Sequence, residues 1–190
     1  ERSAVVADLT SAYGVTRVWR GISLFNLRRH VLVQDEIQAA SPATVWWFMH
    51  IKTNTTAQIE TNGASVMLAQ GNDRLWVKLL SGAGAFAVSN ALPLSTSPNP
   101  SGQNTNASYK KLALKLTGVT NTTLAVLMAP LKPGENPPGS LPSVIPLNAW
   151  GALGITCPVA ASGSVTTPED TPADVDLRTL AFESAMPSDQ

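Results

Sequence analysis

The fold of this chain is decided by Val15–Ile51, whose sequence is VTRVWRGISLFNLRRHVLVQDEIQAASPATVWWFMHI. Three runs within it are rich in β-branched and aromatic residues and are separated by turn-forming residues, which predicts three consecutive strands. Ser41-Pro42, at the centre of Ala39–Thr44, predicts the turn before the third strand. The strands are expected at Val15–Phe25, His30–Gln38 and Val45–Lys52.

Side-chain alternation assigns one apolar face to each of the last two strands. Val31, Val33 and Ile37 share one side of the second strand. A hairpin that pairs Val31 with Ile51 and Ile37 with Val45 would place both apolar rows on one face. One buried face and one wetter face predict a sheet that packs against another layer. The row of the third strand is Val45, Trp47, Met49 and Ile51.

The rest of the chain adds short strands and then changes in composition. Asn62-Gly63 is a hairpin signal, and prolines punctuate the sequence after residue 132. These features predict an all-β fold, an antiparallel β-sandwich of about eight to ten strands with a Pro-rich irregular C-terminal extension. We expect the sandwich in residues 1–131, a Pro-rich segment packed on it in 132–160 and a flexible tail in 161–190. Further strands are expected at Ala57–Glu60, Ala64–Gln70, Leu75–Ser81, Tyr109–Leu116 and Thr122–Ala129, the last two as a hairpin.

Charge is sparse and balanced in this sequence. Charged residues make up 14 %, and 13 basic residues match 13 acidic ones. This balance predicts neither nucleic acid nor an anionic membrane as a partner. Arg28-Arg29 and Lys110-Lys111 are interpreted as ordinary strand ends. No apolar run reaches membrane-spanning length, and Cys157, the single cysteine, excludes a disulfide framework and a thiolate metal cluster.

Several strand motifs carry a resemblance to a known family. They are AVVADLTSAY, VTRVWRGISLFNLRRHVLVQDEI and VWWFMHI, which together cover about Ala4–His50. These motifs resemble the β-sandwich domain of the heparinase II/III-like polysaccharide lyases, particularly the secreted fungal members. The resemblance continues more loosely through residues 73–82 and 109–131. The chain is therefore expected to be the C-terminal part of a larger lyase.

The resemblance implies a lyase activity and a second, helical domain that this sequence does not contain. Lyases of this family pair an N-terminal helical toroid with a C-terminal β-sandwich and bind the polysaccharide between them. They cleave heparin, heparan or other polyuronates by β-elimination, with Tyr or His as base and acid and a neutralising group on the uronate. The toroid is absent from this sequence, so we expect the chain alone to be inactive. A divalent metal is an implied cofactor, but its ligand set is incomplete here.

His30 and His50 are the catalytic candidates, and the predicted hairpin tests whether they can meet. His50 would stand on the face of Trp46 and Phe48, with His30 as its diagonal neighbour at about 7–8 Å. Asp35 would point to the opposite face, so the two histidines and Asp35 could not share one metal. We therefore predict no metal site. The alternative for His50 is a structural histidine at a strand end, beneath a flanking loop.

Asp35 needs a partner because it lies on an apolar face. We expect a structural charge that pairs with an arginine of the preceding strand or accepts backbone amides. Arg17 and Arg20 of that strand are also candidate substrate-binding residues. Adjacent strand residues face opposite ways, so Trp46 is the sugar-binding candidate and Trp47 a core residue.

Glycosylation signals favour an extracellular location. Three Asn-x-Ser/Thr sequons, at Asn54, Asn106 and Asn121, lie near predicted turns or strand ends where a glycan would stay in solvent. Together with the resemblance they predict a secreted glycoprotein.

Functions of different classes remain open from the sequence. The first is the β-sandwich portion of a polysaccharide lyase, which supports the substrate groove and contributes His50. The second is a non-catalytic carbohydrate-binding or interaction module, and the third is a fragment without activity of its own. The expected partners are a polysaccharide substrate and the missing helical toroid.

Overall fold

The computed structural model describes residues 2–93, 98, 100–153, 159–160 and 182–183. The predicted flexible tail therefore lies almost entirely outside the described residues. Antiparallel strands account for nearly all regular structure, which confirms the all-β fold class. The elements are β1 (Ser3–Asp8), a helical turn α1 (Thr10–Tyr13), β2 (Arg17–Phe25), β3 (His30–Lys52), β4 (Thr56–Ile59), β5 (Ser65–Gln70), β6 (Asp73–Ser81), β7 (Phe86–Asn90), β8 (Tyr109–Leu131), a 3₁₀ helix (Leu147–Leu153), β9 (Val159–Ala160) and β10 (Phe182–Glu183).

Two strands of 23 residues each, β3 and β8, form the centre of the sheet. The strand order is β1-β2-β3-β8-β6-β5-β4, with β7 paired to the first part of β8. The strands β2 and β6 pair only with the first part of β3 and the last part of β8. The two long strands therefore connect two groups of shorter strands.

Two predicted hairpins do not form. The segments expected as separate strands on either side of each turn belong to the single strands β3 and β8. Val31 pairs with Met128 and Ile51 with Lys110, so the predicted pairing of Val31 with Ile51 is wrong. Four predicted strands are instead one long two-stranded ribbon. The hairpin between β4 and β5 at Asn62-Gly63 does form.

The ribbon bends where the turns were expected. The β3–β8 register shifts between Gln38 and Ala43 and again between Ala43 and Val45. Pro42 lies in this break and has no backbone N–H to give to a ladder, and Gly118 lies across from it with a φ of 69°. Turn-forming residues here interrupt the ladder and bend both strands without reversing the chain.

The bend brings the two parts of the ribbon face to face. The predicted apolar row of the second part of β3, which begins at Val45 and ends at Ile51, packs into the core as expected. It meets residues of β5, β6 and the last part of β8, so the sheet closes on itself as a β-sandwich. The buried core residues are Trp47, Ile51, Val66, Leu68, Val77, Phe86, Leu112, Leu114, Leu116, Leu124 and Val126.

The outer face of the first part of β3 is covered as well, which alternation did not predict. Leu32 is 1 % exposed and packs in one cluster with Leu147 and Trp150. Gly21 makes room for this contact, because a Cβ there would lie 2.9 Å from the Trp150 ring. Residues 144–150 therefore lie directly on the sheet.

Buried polar side chains fasten the same segment. Gln34 Nε2 donates a hydrogen bond of 2.8 Å to the carbonyl of Ile145, and the Leu147 N–H donates one of 2.6 Å to Glu36 Oε1. These bonds satisfy polar groups that would otherwise be buried without partners. The first part of β3 is thus a packing surface on both sides.

Candidate functional site

The outward face of the second part of β3 and the first part of β8 carries aromatic and basic side chains. Residues that pair across a ladder lie on the same side of the sheet, so the register defines this face. We call it the aromatic–lysine face. It consists of Trp46, Phe48, His50 and Lys52 on β3, paired with Lys115, Ala113, Lys111 and Tyr109 on β8.

The two aromatic rings of this face stack on each other, and each also contacts a lysine. The ring centroids of Trp46 and Phe48 lie 5.5 Å apart at an interplanar angle of 19°. Lys115 Nζ lies 5.1 Å from the Trp46 centroid and Lys111 Nζ 4.8 Å from the Phe48 centroid. An ammonium group is attracted to the ring quadrupole at such distances. Trp46 is 50 % exposed, but the ring faces that a sugar would need already have neighbours.

His50 borders an open depression of about 480 Å³ at the end of the sandwich. Tyr109 and Arg74 also line it. His50 pairs with Lys111, two positions from Tyr109, so His50 and Tyr109 are diagonal neighbours on one face. His and Tyr are both residue types that transfer protons in catalysis. The depression is therefore the place where His50 has a chemically suitable neighbour.

Arg20 and Asp35 form an ion pair near the bend. Arg20 Nε lies 2.6 Å from Asp35 Oδ1, and its Nη2 lies 2.8 Å from Oδ2. The hydrogen bond to Asp35 raises the pKa of Arg20. The pair lines a cavity of about 240 Å³ together with Tyr13 and Trp46. Asp35 is buried and accepts hydrogen bonds from two nitrogens of Arg20. The guanidinium is therefore already paired with a carboxylate and is a poor partner for a second one on a substrate.

Arg17 lies on the other face of β2 from Arg20. Its guanidinium carbon is 4.6 Å from the Trp19 ring centroid, and its Nη2 is 3.6 Å from Glu36 Oε2. Residues 17 and 20 are three positions apart on one strand, so alternation separates them. The two arginines predicted to bind substrate therefore do not share a site, and neither stands on the aromatic–lysine face.

His30 does not meet His50. It lies 20 positions earlier on the same continuous strand, so the predicted diagonal contact between the two histidines is wrong. His30 is buried and packs edge-to-face on Phe25, with centroids 5.5 Å apart. The Asn26 amide nitrogen is 3.4 Å from its ring nitrogens. These contacts describe a packing role at the start of β3.

A metal centre would need several His, Cys, Asp or Glu side chains to converge on one point. Within residues 2–93 and 100–153, no three His, Cys, Asp or Glu side chains converge on one point. The metal implied by the family resemblance therefore has no ligand set in this part of the chain. No helix among the residues that the structure describes is both long and apolar enough to cross a bilayer.

The three sequons differ in exposure. Asn54 lies in an exposed turn after β3, and Asn121 is exposed at the bend of β8. Asn106 is half-buried and has a φ of 56°.

Comparison with known proteins identifies solved structures but no sequence relatives. No family model and no curated protein sequence matches the chain. Heparan sulfate lyase HepC from Pedobacter heparinus is similar with a TM-score of 0.58 and 8 % identity, over 73 % of this chain and 21 % of that protein. Heparinase III is similar with a TM-score of 0.52 and 12 % identity, over 69 % and 20 %. The chain has a heparinase-like fold. It spans about a fifth of the length of these lyases, and identities this low show the fold alone.

The lysines of the heparinase-like sandwich were missed by reasoning from the sequence. The sequence predicts an ordinary strand end at Lys110-Lys111, but in the structure the two side chains have different contacts. Lys110 Nζ donates a hydrogen bond of 2.8 Å to the Thr55 carbonyl, whereas Lys111 lies over Phe48 on the other face. The signal that could have found Lys111 is the period-two spacing of Tyr109, Lys111 and Lys115.

Proposed function

We propose that this chain is the β-sandwich part of a secreted polysaccharide lyase of the heparinase II/III-like type, which cleaves uronic-acid-containing glycans by β-elimination. The observation that carries the proposal is the heparinase-like fold. The strand motifs between Ala4 and His50 support it independently. Secretion, glycosylation and the fungal type are proposed from the sequence, chiefly from the three sequons.

In this proposal the sandwich supplies one wall of a substrate groove. A β-elimination needs a base within hydrogen-bond reach of the proton that it removes. His50 and Tyr109 stand at an open depression, where a second wall would have to hold the uronate against them. An upstream helical toroid is the proposed second wall. The chain alone is therefore expected to bind without turnover.

The test compares this chain with a form extended upstream through the toroid. Both are assayed on heparin, heparan sulfate and polygalacturonate by the ultraviolet absorbance of the unsaturated product. Product from the extended form alone is the expected result. Product from the isolated chain would contradict the account of an incomplete site. Product from neither form would exclude the proposed lyase function.

A substitution in the extended form tests the role of His50. If His50 transfers a proton, His50→Gln lowers kcat by about 10²–10⁴-fold. The control is His30→Gln, since His30 packs on Phe25 away from the depression. An unchanged kcat in His50→Gln would leave the sandwich with a supporting role only.

The second candidate function is a non-catalytic carbohydrate-binding module. The aromatic–lysine face favours it, because the large rings of Trp46 and Phe48 are exposed on the outside of the sheet beside basic side chains and do not enter the core. In this function the isolated chain binds a polysaccharide, and Trp46→Ala weakens binding while the fold stays intact. Absence of binding to any uronate or neutral glycan would rule it out.

A further inference from the structure

We propose that the aromatic–lysine face binds an acidic polysaccharide through the ammonium groups of Lys111 and Lys115, with the aromatic rings as supports for those groups. The proposal deepens the glycan-binding role given above and rests on it for the class of ligand. It does not depend on elimination chemistry. Binding and turnover can therefore fail separately.

Positive charge is concentrated in the sandwich although the chain as a whole is neutral. Residues 2–153 contain 12 Lys and Arg but 6 Asp and Glu, whereas residues 154–190 contain 1 Arg and 6 Asp and Glu. Among the eight positions of the aromatic–lysine face, three are Lys, one is His and none is acidic. The balanced total hides a local excess of positive charge, which attracts a polyanion.

The acidic residues of β3 do not offset this charge. Asp35 and Glu36 are buried in the first part of the strand, where they face Arg20 and Arg17. Glu135 binds Arg29 beyond the end of β8. Asp73 lines the depression that His50 and Lys52 border, so the positive charge proposed for a ligand to neutralise is that of Lys111 and Lys115.

The lysine–ring contacts prepare the face for a charged ligand. A lysine side chain loses rotamer freedom when it binds an anion. Lys115 over Trp46 and Lys111 over Phe48 are already restricted by their ring contacts. The bound state therefore requires less new ordering than two free lysines would.

The spacing of the lysines favours a polymer. Lys111 and Lys115 are four residues apart on one strand, which corresponds to ~13 Å between their backbones at about 3.3 Å per residue. An extended chain with regularly repeated acidic groups can lie along the strand and contact each lysine in turn.

The contacts of the Trp46 and Phe48 rings favour an acidic glycan over single-stranded nucleic acid and over a neutral sugar. Single-stranded nucleic acid binds by stacking bases on free aromatic faces, and a neutral sugar also needs a free face. Trp46 and Phe48 instead contact each other and a lysine each. Recognition here is therefore by charge, with sulfate or carboxylate groups as the partners of the ammonium groups.

The test measures the Kd of the whole chain for heparin, polygalacturonate and neutral dextran at several salt concentrations. The variant is Lys111→Gln/Lys115→Gln. The matched control is Lys78→Gln/Lys132→Gln, which removes the same charge outside the aromatic–lysine face. We expect the first pair to weaken heparin binding by about tenfold or more and to reduce the salt dependence by about two ion equivalents, as counterion release requires. The control pair is expected to change little.

Further arms identify the ligand chemistry and the role of the rings. Binding of both heparin and polygalacturonate supports recognition of acidic groups in general, and binding of heparin alone supports recognition of sulfate. Trp46→Leu keeps both lysines and removes one support, so it should weaken binding less than the double lysine variant does. Circular dichroism verifies that every variant is folded.

Three results would overturn the proposal. One is an equal loss of heparin affinity in the two double lysine variants, which would mean that only the net charge of the chain matters. Another is dextran binding as tight as heparin binding. The third is tighter binding of a single-stranded DNA of matched charge, which would make the face a nucleic-acid site. None of these results depends on whether an extended protein eliminates uronate.

Discussion

The first part of β3 is covered on both faces, whereas the second part is covered on one. In the first part, Leu32 packs against Leu147 and Trp150, and Asp35 and Ile37 of the opposite row are buried as well. In the second part, Trp47 and Ile51 enter the core, while Trp46 remains half exposed. The same alternation of residues thus builds a packing surface before the bend and a surface open to ligands after it.

This comparison shows where a functional residue can be sought in such a sheet. Before the bend, charged residues form ion pairs within the protein, as Asp35 and Arg20 do. After the bend, Lys115 and Lys111 lie over the exposed rings of Trp46 and Phe48. Function is therefore expected on the side of the bend that has no second cover.

The largest expected effect contrasts two tryptophans. Trp150→Ala removes a fully buried side chain from the cover of β3, and we expect a loss of about 3–5 kcal/mol in the free energy of unfolding. Trp46→Ala removes a half-exposed ring, and we expect a loss of about 1 kcal/mol. Urea unfolding of both variants measures the difference.

A substitution at Gly21 tests independently whether packing against Trp150 stabilises the fold. A side chain at this position would collide with the Trp150 ring, so Gly21→Val should approach the loss seen in Trp150→Ala. Equal losses in Trp150→Ala and Trp46→Ala would contradict the distinction between a covered and an open part of β3.

The next effect concerns the Arg20–Asp35 pair. Asp35→Ala leaves a partly exposed guanidinium without its partner, so we expect a loss of about 2 kcal/mol, less than for a fully buried pair. A double-mutant cycle with Arg20→Ala should give a coupling energy of about 1–2 kcal/mol. The exposed Arg29–Glu135 pair is the control and should couple much more weakly. Similar coupling in both pairs would show that burial of Asp35 does not strengthen its ion pair.

Much of the fold could be predicted because alternation is a local property. The row from Val45 to Ile51 and the exposed position of Trp46 follow from period two alone, whichever strand lies next to them. The all-β class follows from the same pattern and from turn residues such as Asn62-Gly63. These predictions need no knowledge of long-range pairing.

The pairing itself could not be predicted, and the site depends on it. Ser41-Pro42 marks a place where a regular ladder stops, but the residues are the same whether the chain reverses or only bends. A predicted hairpin places His30 next to His50, whereas the observed pairing places Lys111 there. The true partner of the second part of β3 lies far away in the sequence, since His50 pairs with Lys111, 61 residues later. Only the register places lysines beside the aromatic row.

A smaller effect tests what bends the ribbon. Gly118 has a φ of 69° and open space around a Cβ, so Gly118→Ala should cost about 1 kcal/mol through backbone strain alone. Pro42→Ala across the break should change stability by about 0.5 kcal/mol or less, because the site is exposed and has no ladder bond to lose. Thermal unfolding compares the two variants. If Pro42→Ala is the more destabilising of the two, the bend is set by β3 rather than by β8.

The smallest expected effect is a pH dependence that belongs to the covered part of β3. Burial lowers the pKa of His30 below its ordinary value of 6.5, and Arg29 lowers it further. The unfolded chain therefore takes up this proton at a higher pH than the folded chain does. As a result, the contribution of His30 to stability is complete above about pH 6.5 and is lost as the pH falls towards its folded pKa. Unfolding measured across this range should show the loss in the natural chain, and His30→Gln should remove that part of the slope. A gain in stability on acidification would mean that Glu135, which acts on His30 in the opposite direction, outweighs burial at the start of β3.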